Sequence, residues 1–181
     1  MLFPTTTVTL KGGREAVFRS PRKEDAAAML EQLREMTGET DFLLRTPAET
    51  DLTVEQEERF IESINQSQNN WMILCEVDGR CAGNCHLQLN TKAKVCHRGS
   101  VAIGLLRAYW GMGIGTAMFE EMVRIARENG ASQLELAVIE GNERGLALYR
   151  KMGFTVYGEL PNAFRQQDGS MRSEILMVKQ L

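Results

Sequence analysis

The sequence predicts an α/β protein built on one mixed, mostly antiparallel sheet with helices on its faces. Three observations carry that expectation. Apolar runs at 71–77 and 81–89 flank Asp78-Gly79, and Asp-Gly between such runs suits the primed turn of a hairpin. Beyond residue 106 the apolar period alternates between helical and strand spacing, as it does where helices connect neighbouring strands. Finally, 181 residues with 43% hydrophobic and 25% charged side chains suit a single domain, 1–181, with a sizeable core.

Val8-Thr9-Leu10 and Ala16-Val17-Phe18 read as short strands around the Gly12-Gly13 turn. Pro21 has a backbone angle suited to a first helical turn, so a helix is expected from there to about Met36, ended by Gly38. After an acidic loop, Thr53 and Gln56 stand at capping-box spacing. Each side chain there can serve a backbone group that the helix start leaves open, and the helix should run to about Ile64. The hairpin follows, then a third strand over about 95–106. Ile114, Ala117, Met118, Met122, Ile125 and Ala126 predict a helix over 113–128, stopped at Asn129-Gly130. Residues 134–138 alternate as a strand. Asn142 can cap a helix carrying Leu146, Tyr149 and Met152 and ending at Gly153, with strands at 154–157 and 174–178.

A net charge of −3 provides no basic field, which argues against nucleic acid as partner. No stretch approaches the ~18 apolar residues of a membrane span, and the amino terminus lacks the layout of a signal peptide. A soluble, cytoplasmic protein is expected. Cys75, Cys81, Cys85 and Cys96 sit in apolar or alternating stretches, as free thiols do in a reducing compartment. Cys85-His86 and Cys96-His97 raise the question of zinc, but no Cys-x2-Cys pair exists, so no metal is expected.

The segment richest in chemistry is Tyr109-Trp110-Gly111-Met112-Gly113-Ile114-Gly115-Thr116, between a strand and a helix. Such a turn presents free N–H groups at the positive end of a helix dipole, and glycines let a polyphosphate approach without a Cβ in the way. The plain alternative is a helix start whose glycines only permit a tight turn. The dinucleotide fingerprint fails, since Thr116 and Met118 stand where its third small residue belongs, and the Walker loop's Gly-Lys-Ser/Thr is absent.

Here the sequence resembles the GCN5-related N-acetyltransferases. Trp110-Gly111-Met112-Gly113-Ile114-Gly115 matches that family's phosphate motif except at its first position, where Arg or Gln is usual. Asn142-Glu143-Arg144-Gly145-Leu146-Ala147-Leu148-Tyr149-Arg150-Lys151-Met152-Gly153-Phe154 reproduces its second hallmark apart from Gly145. The likeness covers roughly 69–181.

The resemblance implies an acetyl-CoA-binding core over about 69–181 and acceptor-side helices over about 21–66. It implies that acetyl-CoA lies between two splayed parallel strands, one ending at Leu105 and Leu106 and the other at 134–138. Backbone at Leu105 and Leu106 would pair with the pantetheine as an added strand does. The pyrophosphate would meet Trp110, Gly111, Met112, Gly113, Ile114, Gly115 and Thr116, and Asn142 and Tyr149 would also touch the cofactor. An N-cap role for Asn142 is compatible with this.

Tyr149 is implied as the general acid that returns a proton to the departing thiolate, a phenol being protonated at neutral pH. Spacing alone favours a core aromatic on the helix face, and only the motif points to catalysis. Many relatives carry a basic Glu on the strand before the glycine turn, but Gly99 and Ser100 occupy those positions, leaving Glu76, Glu135, Glu140, His86, His97 or ordered water. Between Glu35 and Glu62, nine acidic residues face two basic ones, either a solvated surface or a field steering a cationic amine inward.

The expected reaction is direct transfer of acetyl to a primary amine of a small molecule or peptide, with a homodimer left open. The alternatives are a protein N-terminal acetyltransferase and a non-catalytic acetyl-CoA-binding module.

Overall fold

A computed structural model describes residues 2–181. The strands are β1 (Thr6–Thr9), β2 (Glu15–Arg19), β3 (Asn70–Val77), β4 (Arg80–Leu89), β5 (Arg98–Leu105), β6 (Gln133–Ile139), β7 (Thr155–Arg165) and β8 (Met171–Gln180). The helices are α1 (Ala26–Glu39), α2 (Val54–Gln66), α3 (Ile114–Glu128) and α4 (Glu143–Lys151). All eight strands form one sheet in the order β1-β2-β3-β4-β5-β6-β8-β7. Every neighbouring pair is antiparallel except β5 and β6, which α3 connects as the crossover a parallel pair requires. The expected mixed, mostly antiparallel sheet flanked by helices is therefore the observed one.

The parallel pairing is short. Arg98, Gly99 and Ser100 pair with Gln133, Leu134 and Glu135, and beyond them β5 and β6 run on without a ladder between them. A wedge opens in the middle of the sheet.

Alternation distributes the core over both faces. Ile73, Cys75 and Cys85 point to the face covered by α3 and α4, joining Met118, Phe119, Met122, Tyr149, Phe154 and Met177. Met72 and Leu74 point the other way, to Met29 of α1 and Ile61 and Ile64 of α2.

The capping box of α2 forms as expected, with Gln56 N–H donating to Thr53 Oγ1 at 3.3 Å and Thr53 N–H to Gln56 Oε1 at 2.8 Å. The hairpin turn has positive φ at Asp78 (51°) and Gly79 (76°), the primed geometry that suits twisted strands. Several boundaries differ from expectation. α1 begins at Ala26 because a tight turn precedes it, in which the Asp25 carboxylate accepts from Arg22 N–H at 2.6 Å and from Arg19 at 2.6 and 2.8 Å. Gly38 does not stop α1, which ends at Glu39 with Thr40 extended. Residues 92–97 curl into turns, Val95 N–H donating to Lys92 O at 2.9 Å, so β5 starts at Arg98. β7 and β8 reach well beyond the short strands expected at 154–157 and 174–178. Among the described residues no helix is long and apolar enough to cross a membrane.

Candidate functional site

The wedge is built from backbone. Leu106 N–H donates to Ala82 O at 3.0 Å and Arg98 O accepts from Asn90 N–H at 3.0 Å, so alternate residues between them bond to β4. The groups of Val101, Ile103 and Leu105 consequently face the gap. The same alternation on β6, fixed by Glu140 N–H donating to Ser173 O at 3.0 Å, turns Ala137 and Ile139 toward it. This corrects one expectation. Leu106 has no free edge group, since its carbonyl also accepts from Tyr109 N–H at 3.0 Å and its side chain is buried.

The strand then runs into the glycine turn. Gly111 (φ 80°) and Gly113 (φ 93°) occupy left-handed conformations that L side chains rarely adopt, and Gly113 caps α3. The first N–H groups of α3, from Ile114 to Thr116, have no intrahelical acceptor and point out of its positive end. Gly115 serves a different purpose. A Cβ there would lie 2.9 Å from Leu148 Cδ2, so its absence lets α4 pack close beside the turn.

Trp110, at the position where the resemblance departs from the family motif, is half-buried and donates its indole N–H to Leu105 O at 2.8 Å. Arg107 and Arg144 lie over its ring at 5.5 and 4.8 Å. Lys151 Nζ reaches Thr116 Oγ1 at 3.1 Å, and Lys11 N–H donates to Met112 O at 3.0 Å. Arg144 and Lys151 thus set cationic heads around the free N–H groups, a setting suited to a pyrophosphate. Neither was singled out from the sequence, although both lie inside the segment that begins at Asn142.

Asn142 caps α4, its Oδ1 accepting from Gly145 N–H at 2.9 Å. A Cβ on residue 145 would stand 2.8 Å from Asn142 Nδ2, which accounts for Gly145 where the family pattern has Ala. Tyr149 fits both readings of its spacing. Its ring packs edge-on against Phe119 at 5.5 Å and Phe154 at 6.4 Å, whereas its hydroxyl is neither hydrogen-bonded nor fully enclosed. Burial pushes its pKa up to about 12.

On the opposite face of the sheet a cavity of about 420 Å³ lies between α1, α2 and strands β3 to β5. It is mostly apolar, with Met36, Phe60 and Met72 in its wall, and it reaches Ile103 and Gly104, where β5 has parted from β6. At Gly104 a Cβ would meet Met36 Sδ at 2.7 Å, so the glycine leaves room for the end of that side chain. Its polar lining includes Gln32, Asn84, His86 and Glu57. Glu57 is 9% exposed, and burial raises its pKa.

Four of the nine acidic residues from Glu35 to Glu62 are engaged elsewhere. Glu35 pairs with Arg80 at 2.5 Å, Glu39 accepts from Arg107 N–H at 2.7 Å, and Glu58 and Glu62 flank Lys23 at 3.4 and 3.6 Å. Among the described residues no three His, Cys, Asp or Glu side chains are grouped as metal ligands.

A sheet split between two parallel strands, ending on a glycine-lined helix start with cationic heads around it, defines a site for an extended, phosphate-bearing cosubstrate. The sequence pattern of the acetyltransferase (GNAT) family matches residues 30–154, and the chain belongs to that family. A GNAT-family acetyltransferase from Streptococcus pneumoniae superposes with a TM-score of 0.85, at 28% identity over 92% of this chain and 99% of that one. A Salmonella typhimurium protein solved with its cofactor acetyl-CoA shares the fold, with a TM-score of 0.78 at 17% identity over 92% of this chain and 94% of that one. The Bos taurus thialysine N-epsilon-acetyltransferase is 40% identical over 45 residues, which are 25% of this chain and 26% of that protein's length.

Proposed function

We propose that the protein transfers the acetyl group of acetyl-CoA to a primary amine of a small molecule or peptide, by direct attack with both substrates bound. The observation that carries this is the wedge between β5 and β6 ending on the turn 110–116. A pantetheine arm has the spaced amides to pair with Val101, Ile103 and the N–H of Leu105, and its pyrophosphate would meet the N–H groups of Ile114 to Thr116 beside Arg144 and Lys151. Asn142 Nδ2, free of other bonds, adds a donor at the mouth of the wedge.

Tyr149 is the general acid. Its hydroxyl stays protonated through neutral pH and is open to a departing thiolate. Residues 69–181 form the coenzyme side, and the helices within 21–66 roof the acceptor side. The protein acts in the cytoplasm, where four free thiols stay reduced, without a nucleic acid or membrane partner. The experiment is thiol release from acetyl-CoA across a panel of amines, paired with thermal unfolding in the presence and absence of acetyl-CoA. Stabilisation without thiol release from any amine would leave a binding module instead of an enzyme.

A further inference from the structure

We propose that His86 is the base that takes the proton from the acceptor's ammonium, in a cavity shaped for an amine with an apolar body. This rests on the acetyl-transfer reading. It addresses the step for which the chain has no carboxylate at Gly99 or Ser100.

His86 projects from β4 between Met72 of β3 and Ala102 of β5, its partners in register, and all three line the cavity. Ile103 and Gly104, the next residues along β5, bring the cavity to the wedge where the thioester would lie. The imidazole Nε2 is buried and has no hydrogen-bond partner. A buried ring nitrogen is ordinarily satisfied, so an orphaned one on a side chain that lines a cavity points to a ligand that completes it. Its polar neighbours are already engaged. Asn84 Nδ2 donates to Gln32 Oε1 at 3.3 Å, and Gln32 Nε2 reaches Met36 Sδ at 3.4 Å.

The other candidate bases are committed. Glu76 binds Arg19 at 3.1 Å, Glu135 binds Arg98 at 2.5 and 2.7 Å, and Glu140 accepts from Ser173 N–H at 2.9 Å. His97 is exposed. The charged groups lining the cavity are Glu57 on α2 and Arg45 on the preceding loop, while α1, β3 and β5 contribute none. Burial lowers the His86 pKa, which keeps the ring neutral and able to accept at pH 7.

The proton balance closes. An ammonium N–H bond breaks and its proton passes to Nε2. The freed lone pair forms the N–C bond at the thioester carbonyl, whose π electrons move to oxygen. As the carbonyl re-forms, the C–S bond breaks with its electron pair on sulfur, and the Tyr149 hydroxyl proton goes to that sulfur. The nitrogen's second proton restores the Tyr149 hydroxyl through water, and His86 releases its proton to solvent.

The chain has two histidines, so 15N-histidine labelling reads the His86 titration directly, with the exposed His97 assigned by H97Q. With tryptamine, spermidine, lysine and an alanyl peptide as acceptors, tryptamine should be favoured among them. The acid limb of wild-type kcat should coincide with the His86 titration, below the ordinary pKa of about 6.5. H86Q should lose about a hundredfold or more in kcat. It should also lose that limb while keeping the acetyl-CoA thermal shift, and imidazole should restore part of the activity of H86A. The proposal is overturned by a folded H86Q with wild-type kcat and limb. It is equally overturned by a wild-type limb that does not match the His86 titration, a test needing no variant at His86. Thiol release from none of the amines by the wild type brings down the acetyl-transfer reading itself, and this proposal with it.

Discussion

Trp110 donates its indole N–H to the carbonyl of Leu105, 2.8 Å away, and so ties the glycine turn to the last residue of the strand that borders the wedge. The bond fixes the angle between two surfaces that must meet one extended ligand. W110F keeps an aromatic face for Arg144 but deletes the donor. It should lower stability by about 1 kcal/mol. For a chain of this size that is a fall of about 2–4 °C in Tm, and acetyl-CoA should bind more weakly as well. Thermal unfolding with and without acetyl-CoA measures both, and an unchanged Tm would show that the bond does not pin the turn.

Gly113 and Gly115 separate two uses of glycine in one turn. G113D places a Cβ at φ 93° and a negative charge at the start of α3, where phosphate is expected. At a hundredfold excess over Kd, acetyl-CoA should stabilise the wild type by about 2.7 kcal/mol, and folded G113D should show none of this. G115A instead presses on Leu148 Cδ2 from 2.9 Å and should destabilise the protein even without ligand, by about 1–3 kcal/mol. If both variants lose only ligand binding, Gly115 is not a packing residue.

What was legible in the sequence follows from how locally each feature is determined. The hairpin turn needed two adjacent positive φ values, and Asp78-Gly79 advertises them. The glycine turn, the Asn142 cap and the α2 capping box each lie within a few residues of sequence. Gly38 misled because a helix interior tolerates glycine when nothing calls on its left-handed conformation. β7 was underestimated because most of its positions are exposed, Glu159 and Asn162 among them, and β8 because only Ser173 and Met177 are buried, so neither shows a clear apolar alternation along its length. The cavity was least visible. Met36, Glu57, His86 and Gly104 come from four elements and share no spacing, so only the tertiary packing of α1 and α2 on the sheet brings them together.

Tyr149 joins a buried ring to an open hydroxyl, so Y149F tests the hydroxyl with little disturbance to Phe119 and Phe154. kcat should fall by about tenfold to a thousandfold while acetyl-CoA affinity stays close to that of the wild type. A general acid must be protonated to act. With the folded pKa raised to about 12, the hydroxyl keeps its proton up to that pH, so no alkaline loss of kcat should arise from Tyr149 between pH 7 and 10. Retention of wild-type kcat in Y149F would return the residue to a purely structural role.

The thiols decide between direct transfer and an acetyl-enzyme route. The second route needs an activated thiolate beside the acetyl group. Cys75, Cys81 and Cys85 are buried, and burial pushes the first two up to about 12 and about 11 and raises the third as well. Cys96 is exposed in the turn before β5, where its Sγ lies 3.3 Å from the carbonyl of Ala93. Native protein should therefore take up one equivalent of iodoacetamide at neutral pH, at Cys96, and unfolded protein four. C96A should retain wild-type activity. Initial-rate plots against acetyl-CoA and amine should intersect, since both substrates must be bound at once. Parallel plots, together with an acetylated cysteine found by mass spectrometry in the absence of amine, would put a covalent intermediate on the path and remove direct transfer.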